Sequence, residues 1–355
     1  MTENVVSIVD SLLHHAIEKR ATDVHLEPRR DELTIRMRVD GVLLPFHTLP
    51  KNLQPATISR IKIIAGMDIA ESRLPQDGRI DFRHNDDTLQ LRISTLPTLH
   101  GEKIAIRILH RAKNVYRLEE LGMTVKQMAA TRQILEEPQG LLLLVGPTGC
   151  GKTTTLFACL AELAERPVNI SSIEDPIEYT LSEVNQTQIH PKIGLTFAQG
   201  LRAMLRQDPD VIVIGEIRDS ETAEIALQSA STGHLVITTL HTENAKTAET
   251  RLHQLGISHE HREATRASII SQRLLRTLCP KCNGSHCENC QETGFQGRTG
   301  IYEINSKMVE SAEDLWEEAE KRVKEGKTTI EEIYRVLGRF HISSENIRDA
   351  RPTTR

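Results

Sequence analysis

Aromatic residues are scarce in this chain of 355 residues. They make up 3% of the sequence, and only one of them is Trp. Proteins that bind single-stranded nucleic acid without sequence preference usually stack bases on aromatic rings and line the backbone with positive charge. The net charge here is −5. A general nucleic-acid-binding protein is therefore disfavoured.

Long apolar runs and secretion signals are also lacking. No stretch approaches the roughly 20 apolar residues that cross a membrane, and no basic N-terminus leads into an apolar segment. Hydrophobic residues still make up 38% of the 355 residues, which is enough for a core in each of two domains. These properties predict a soluble, cytoplasmic protein.

The most informative stretch is LLLLVGPTGCGKTTTL, from Leu141 to Leu156. Its apolar start predicts a buried strand, and the residues that follow match GxxxxGK[ST] at every fixed position. A Gly-rich turn in a structural α/β unit is the alternative, but strand, loop, Lys-Thr and helix in this order favour a nucleotide triphosphate site. The predicted phosphate-binding residues are Gly146, Pro147, Thr148, Gly149, Cys150, Gly151, Lys152, Thr153 and Thr154.

The chemistry explains this spacing. A loop that wraps phosphates turns its backbone N–H groups inward, which requires positive φ or close approach at the three glycines. We expect Lys152 to reach the β- and γ-phosphates, Thr153 to offer its hydroxyl to Mg²⁺, and a helix from Thr154 to point its positive end at the phosphates. Cys150 is interpreted as a small filler rather than a redox-sensitive thiol.

Residues 1–111 are predicted to form an α+β domain, because alternating strands with one wet face accompany amphipathic helices. Residues 112–118 are interpreted as a linker, and residues 119–355 as a second domain in which strands and helices alternate. The predicted elements of the first domain are helices at Val5–Ile17 and Gln54–Ala65 and strands at Leu33–Val39, Leu89–Ile93 and Ile104–Ile108. Between them, Glu71–Ile80 resembles an ordinary polar surface loop.

Acidic residues and one histidine follow predicted buried strands of the second domain. Glu174, Asp175 and Glu178 come at the end of one strand, where they suit Mg²⁺ or water handling, although such a loop is often merely solvated. Glu216 follows the strand Val211–Ile214 and is the first choice for a carboxylate that holds Mg²⁺ or polarises water. His241 lies at the tip of another strand, where it either senses the γ-phosphate or has a structural role.

Four of the six cysteines form two closely spaced CxxC pairs. Each pair offers two thiolates to one tetrahedral ion, so Cys279, Cys282, Cys287 and Cys290 predict a zinc site. Only four residues separate the pairs, and a reduced pair without metal or a redox-active pair is the alternative.

In combination these motifs resemble the type II secretion and type IV pilus assembly ATPases, also called secretion traffic ATPases. The resemblance rests on the order of several stretches and extends from Ala21 to about Leu337. They are ATDVHLEPR, RLPQDGRI, LRISTLPT, GPTGCGKTTTL, SSIEDPIEY, LRQDPDVIVIGEIRDSETAEIALQSASTGHLVITTLHTENA and CENCQETGFQGRTGIYEI.

The resemblance implies a homohexameric ring of RecA-like ATP- and Mg²⁺-dependent motors, each with an N-terminal α+β domain of PAS-like type. Glu174 and Glu178 would position Mg²⁺ and water, Glu216 would be the catalytic carboxylate, and His241 would lie near the γ-phosphate. Arg79 and Arg92 of the first domain would supply positive charge to the phosphates, with Arg73 a weaker candidate. This implication reverses the interpretation of Glu71–Ile80 as an ordinary loop.

The implied role is the assembly of pilin-like subunits at the inner face of the cytoplasmic membrane, through a polytopic membrane platform protein and without direct nucleic-acid contact. Larger relatives carry an additional N-terminal docking module, so the compact chain most resembles the competence-pilus ATPases of Gram-positive bacteria.

The short spacer between the CxxC pairs and the residues from His341 onward depart from the family pattern. Type II secretion, pilus retraction, a RecA-like DNA translocase or helicase, and a nucleotide-switched scaffold are the alternatives.

Overall fold

The computed structural model describes residues 4–85, 87–109, 116–258, 260–261, 265–309 and 314–339. The chain divides into two compact units, residues 1–113 and 114–355. Residues 112–115 of the predicted linker and the tail from residue 340 lie outside the described residues.

The first unit is an antiparallel sheet with two helices. Its strands lie in the order β3-β2-β1-β6-β5-β4. The helices are α1 (Val5–Glu18) and α2 (Gln54–Ile64), and the strands are β1 (Ala21–Pro28), β2 (Glu32–Val39), β3 (Val42–Pro50), β4 (Gln76–His84), β5 (Asp87–Thr98) and β6 (Gly101–Leu109).

One face of this sheet is apolar and the other is charged. Alternate residues of the strands, such as Val24, Leu91 and Ile106, are buried together with the apolar side of α1. α1 begins where the Asn4 side chain accepts a hydrogen bond from the N–H of Val6 at 3.0 Å. The opposite face carries the polar residues of the same alternation, because successive side chains point to opposite faces of a strand.

The second unit is built on a seven-stranded sheet in the order β13-β12-β7-β11-β10-β8-β9. Its strands are β7 (Gly140–Val145), β8 (Ile170–Glu174), β9 (Val184–Gln188), β10 (Val211–Ile214), β11 (Leu235–Leu240), β12 (Ser268–Leu278) and β13 (Phe295–Asn305). Its helices are α3 (Val125–Glu136), α4 (Lys152–Leu163), α5 (Phe197–Met204), α6 (Ser220–Ser231), α7 (Ala245–Gln254), α8 (Leu315–Lys324) and α9 (Ile330–Leu337).

Strands β7, β11, β10 and β8 are parallel neighbours and are buried along their length. Helices on both sides cover them, as continuous apolar strands require. One strand, β11, separates β7 from β10. Because parallel strands end at the same edge of a sheet, the loops after these four strands converge there. The predicted RecA-like α/β class is confirmed.

The structure also differs from the predicted element pattern. β4 begins at Gln76, so Arg79 lies on a strand and not in a loop. β1, β3, β9, β12 and β13 were not predicted: β3 and β9 are sheet edges with exposed residues, and β12 carries Gln272 and Arg273 in its buried part. The apolar spacing of the sequence also predicts a helix from Ser311 to Glu325; its predicted start lies outside the described residues, and α8 begins at Leu315.

Membrane-spanning helices were searched for along the described part of the chain. None of the helices there is both long and apolar enough to cross a bilayer.

Candidate nucleotide site

The loop between β7 and α4 has the backbone of a phosphate cradle. Gly146, Gly149 and Gly151 have φ values of 153°, 77° and 93°, as the spacing predicts. A Cβ at Gly146 would lie 2.4 Å from the Sγ of Cys150 and 2.7 Å from the carbonyl oxygen of Gln272. The loop can therefore make this turn only at glycine.

The N-terminus of α4 is open to an anion. Gly151 is its N-cap, and no side chain caps the first turn, so the orphan N–H groups of that turn remain available to phosphate oxygens. Pro147, Thr148 and Gly149 are exposed at the tip of the loop. Thr153, in the first turn, is half-buried. This loop fits a nucleotide phosphate.

Lys152 is folded back on its own loop. Its Nζ donates to the carbonyl oxygens of Gly146 at 2.8 Å and Pro147 at 3.1 Å. Burial lowers the pKa of Lys152, and the nearby Arg273 adds to this effect. Cys150 is 4% exposed, and burial raises the pKa of its thiol despite the nearby Lys152, as expected of a small filler.

The carboxyl ends of the parallel strands bring the remaining predicted residues to the same edge. Val145 pairs with Leu240, so the phosphate loop and His241 leave the sheet side by side. Ile214 pairs with Ile173, which places Glu216 beside the Glu174 segment.

Glu216 lies between His241 and Arg218. Its Oε2 is 3.5 Å from the Nε2 of His241, and its Oε1 accepts a hydrogen bond from Arg218. Arg218 also contacts Asp175, with Nη1 at 3.3 Å from Oδ2. Burial and the nearby Lys152 lower the pKa of His241, although Glu216 acts in the opposite direction. Thr153, Glu216 and Asp175 each offer side-chain oxygen, the ligand that Mg²⁺ prefers.

Glu174 is buried, whereas its neighbours in the acidic segment are not. Its Oε1 accepts hydrogen bonds from Ser172 Oγ at 2.7 Å and from Gln186 Nε2 at 3.0 Å. Burial raises the pKa of Glu174. Asp175 and Glu178 are exposed. The three predicted carboxylates therefore differ in exposure, and only Asp175 and Glu178 are open to solvent.

Three residues around this site were not predicted from the sequence. Arg218 is one of them. The others are Gln272, whose Nε2 donates to the carbonyl oxygen of Cys150 at 2.8 Å, and Arg273, which donates to the Glu243 carbonyl oxygen at 2.7 Å. β12 runs parallel to β7, which brings both residues to the loop. Their distance along the chain hides this relationship in the sequence.

The two predicted arginines of the first unit lie opposite each other on one sheet face. Arg79 of β4 pairs with Arg92 of β5, and Arg92 pairs in turn with Arg107 of β6. Within the described residues, the buried Nε of Arg92 has no hydrogen-bond partner. Arg107 is compensated by Asp23, with Nε at 3.1 Å from Oδ1. Like charges directly opposite each other destabilise a sheet, so Arg79 and Arg92 suit an anionic partner. Arg73 is instead bonded to Glu71, with Nη2 at 2.9 Å from Oε2.

The four clustered cysteines converge in the loop that joins β12 and β13. Their sulfur atoms all lie within 4.8 Å of one another. The Sγ–Sγ distance is 3.9 Å for Cys279 and Cys287 and 3.7 Å for Cys282 and Cys290. Four thiolates at about 2.3 Å from one zinc ion are separated by roughly 3.8 Å. The short spacer therefore does not prevent a tetrahedral arrangement.

Comparison with known proteins places the whole chain in one family. Residues 2–346 match the family described as "Type II/IV secretion system protein". The type II secretion system protein E of Pseudomonas aeruginosa is 40% identical over 377 residues, covering 94% of this chain and 75% of that protein. The type IV pilus assembly ATPase PilB of Thermus thermophilus is 42% identical over 323 residues, covering 83% of this chain and 36% of that protein.

Among solved structures, the pilus retraction motor PilT with bound ADP has a TM-score of 0.60 and 26% identity. The match covers 92% of this chain and 96% of that one. These matches agree with the resemblance stated from the motifs and with the RecA-like topology of the second unit. The chain belongs to the type II/IV secretion system protein family, whose members include type II secretion and type IV pilus assembly ATPases, and it is an ATPase.

Proposed function

We propose that this chain is the hexameric motor that hydrolyses ATP to assemble a type IV, competence-type pilus or the related pseudopilus of a type II secretion system. The observation that carries the proposal is the convergence of the phosphate loop, Glu216 and His241 at one sheet edge, where Lys152 and His241 are in contact at 3.3 Å. The names of the relatives support the general class of machine. These names do not distinguish a competence pilus for DNA uptake from a secretion pseudopilus, so that finer assignment is tested separately in cells.

In this proposal each residue acts on the triphosphate or on the attacking water. Lys152 and the loop N–H groups bind the phosphates, and Glu216 orients the water. Thr153, Glu216 and Asp175 would hold Mg²⁺, which neutralises charge on the β- and γ-phosphates. Glu174 and Glu178 complete the acidic edge. His241, neutral and in contact with both Lys152 and Glu216, would orient these groups toward the γ-phosphate.

Arg79 and Arg92 are proposed to stabilise the charge that develops on the γ-phosphoryl oxygens. Such an arginine contributes about 10³-fold or more to turnover in related phosphoryl transfer reactions. The cross-strand pairing of the two arginines supports this role, because it concentrates positive charge on one exposed face.

The motor proposal is tested by paired variants of the phosphate loop and its partner carboxylate. Lys152→Ala should weaken nucleotide binding and abolish turnover, and Glu216→Gln should retain binding but lose hydrolysis. Arg202→Gln, which removes only an exposed pair with Glu221, is the matched control. Retention of multiple-turnover hydrolysis in both site variants would contradict the proposal.

The biological setting needs a separate test in cells. We expect a deletion strain to lack surface pili and to lose DNA uptake, and complementation with the Glu216→Gln variant to restore neither. Normal piliation with impaired protein secretion would instead assign the chain to a type II secretion system. Native mass measurement with an ATP analogue should give a hexamer, and cross-linking should recover a polytopic membrane protein as its docking partner.

We propose that Cys279, Cys282, Cys287 and Cys290 bind one zinc ion with a structural role. N–H donors from Cys287 at 3.2 Å and Gly294 at 3.3 Å already point at the Cys290 sulfur, as is usual for a metal-bound thiolate. Metal analysis should find one zinc per chain. Cys282→Ser should remove it, whereas Cys159→Ala, at a cysteine outside the cluster, should not.

A further inference from the structure

The first unit contains a cavity that the nucleotide chemistry does not use. It has a volume of about 400 Å³ and is lined by Glu27, Pro28, Arg29, Arg36, Thr98, Leu99, His100 and Lys103. This size is within the range of small-molecule sites. Most of these residues lie at the end of the sheet where β1 turns into β2 and β5 turns into β6, and Arg36 reaches the cavity from the middle of β2.

Three cationic side chains surround a single carboxylate in this cavity. Arg29 and Arg36 each donate to Glu27 at 2.6 Å, to opposite oxygens, and the Nζ of Lys103 lies 3.6 Å from Oε1. The Glu27 side chain is only 8% exposed. Burial raises the pKa of Glu27, but the three cations outweigh it and the pKa is lowered. Glu27 is therefore ionised, and two positive charges remain in excess.

Several donors in the cavity remain available after Glu27 has been satisfied. The Nε of Arg36 is buried and has no partner among the residues that the structure describes. Lys103 reaches Glu27 only at 3.6 Å, which is beyond hydrogen-bond distance. Uncompensated positive charge in a concave and partly desolvated cavity is unfavourable unless an anion binds there.

The wall of the cavity is rigid. The carbonyl oxygen of His100 accepts hydrogen bonds from Lys51 at 2.9 Å and from Gln54 at 3.0 Å. Thr98 Oγ1 donates to Gly101 across the same turn. A Cβ at Gly101, whose φ is 130°, would lie 2.2 Å from the Gln54 amide nitrogen. These contacts hold the turn that lines the cavity in one conformation.

We propose that this cavity binds a phosphate group, either as the free ion or as part of a small organic phosphate. The excess of two positive charges matches a phosphate dianion, and two guanidinium groups with one ammonium are the donors that proteins use for it. The volume leaves room for an organic part, and the exposed Leu99 at the rim offers it an apolar contact.

The test measures ³¹P line broadening of inorganic phosphate with the full chain at constant ionic strength. The protein in this test carries Lys152→Ala, which weakens phosphate binding by the loop between β7 and α4. The result therefore does not depend on ATP hydrolysis. Absence of phosphate binding to the cavity would leave the motor proposal unaffected. Arg36→Gln combined with Lys103→Gln should abolish the broadening. Arg38→Gln is the control, because Arg38 lies on the same strand and face but pairs with Asp23.

The direction in which Glu27→Gln changes the affinity for phosphate is the decisive result. Removal of the only negative charge in the cavity should tighten phosphate binding by roughly fivefold or more, and phosphate should raise the Tm of this variant more than that of the parent. A merely structural ion-pair cluster predicts no such gain. Weaker binding in Glu27→Gln, or equal broadening with and without Arg36 and Lys103, would overturn the proposal. A parallel titration with ADP distinguishes an organic phosphate, which competes with the free ion, from inorganic phosphate alone.

Discussion

The Nζ of Lys152 lies 3.3 Å from the Nδ1 of His241. A lysine ammonium can only donate, so the ring nitrogen must accept, which requires a neutral imidazole. The lowered pKa of His241, caused by burial and by Lys152, is consistent with this form. The contact thus couples Lys152, which is proposed to bind phosphate, to the protonation state of a histidine at the end of the neighbouring strand.

We expect this coupling to appear in the pH dependence of ATP turnover. The pKa of His241 lies below its ordinary 6.5, so the neutral ring and full activity should persist down to about pH 6.5 and fall as the pH decreases through the lowered pKa. His241→Gln should be less active and should lack this acidic limb. The measurement is kcat/KM between about pH 5 and 8, with the exposed His253→Gln as the control; an unchanged limb in His241→Gln would contradict the assignment.

Arg218 should compete with divalent cations for the acidic edge. It contacts both Glu216 and Asp175, so its removal leaves these carboxylates uncompensated. We predict that Arg218→Gln binds Mn²⁺ several-fold more tightly without nucleotide and has a kcat lower by about tenfold, because Glu216 loses its orientation. Mn²⁺ titration followed by electron paramagnetic resonance measures the first effect. Weaker Mn²⁺ binding in the variant would show that Arg218 does not occupy the cation position.

Glu174→Gln should separate stability from activity. Because burial raises the folded-state pKa of Glu174 above 4.5, its ionisation disfavours the folded state as the pH rises through that raised pKa. The variant should therefore be more stable than the parent at neutral pH, with little gain near pH 4.5. Its turnover should still fall if Glu174 acts on water. Thermal unfolding at both pH values and ATPase assays test this, and unchanged turnover would assign Glu174 a purely structural role.

A buried ion pair joins α9 to β12. The Glu332 carboxylate, with 0% exposure, bonds to Arg276 at 2.8 Å and to Arg335 at 2.7 Å. Glu332→Gln should reduce the free energy of unfolding by about 3–5 kcal/mol. Glu221→Gln, at an exposed pair with Arg202, should change it by less than about 1 kcal/mol.

The loss of unfolding free energy in Glu332→Gln should depend on pH in one defined direction. Burial raises the pKa of Glu332, but hydrogen bonds from Arg335 and Arg276 outweigh it and lower the pKa below 4.5. The stabilisation is therefore present above pH 4.5 and is lost as the pH falls through the lowered pKa. Denaturant unfolding of parent and variant should converge in acid; a constant difference would contradict the ion-pair explanation.

Local patterns in the sequence were sufficient for the nucleotide loop and for the four central parallel strands β7, β8, β10 and β11. The run Leu141–Val145 and the glycine spacing after it predicted a strand and a turn whose φ values the structure confirms. Such features depend on neighbours a few residues apart. The residue at each strand end, such as Glu216 or His241, could also be identified, because parallel strands share one functional edge.

Other features were decided only by the tertiary structure. The contacts of Arg218 with Asp175, of Gln272 with the Cys150 carbonyl, and of Arg36 with Glu27 join residues from different strands. Strand order and register set these distances, and neither is encoded in a local pattern. The sequence by itself therefore determined the phosphate-loop turn and the residue types that follow the central strands, because both depend on neighbours along the chain. Their partners, and the cationic cavity of the first unit, depended on how distant strands pair.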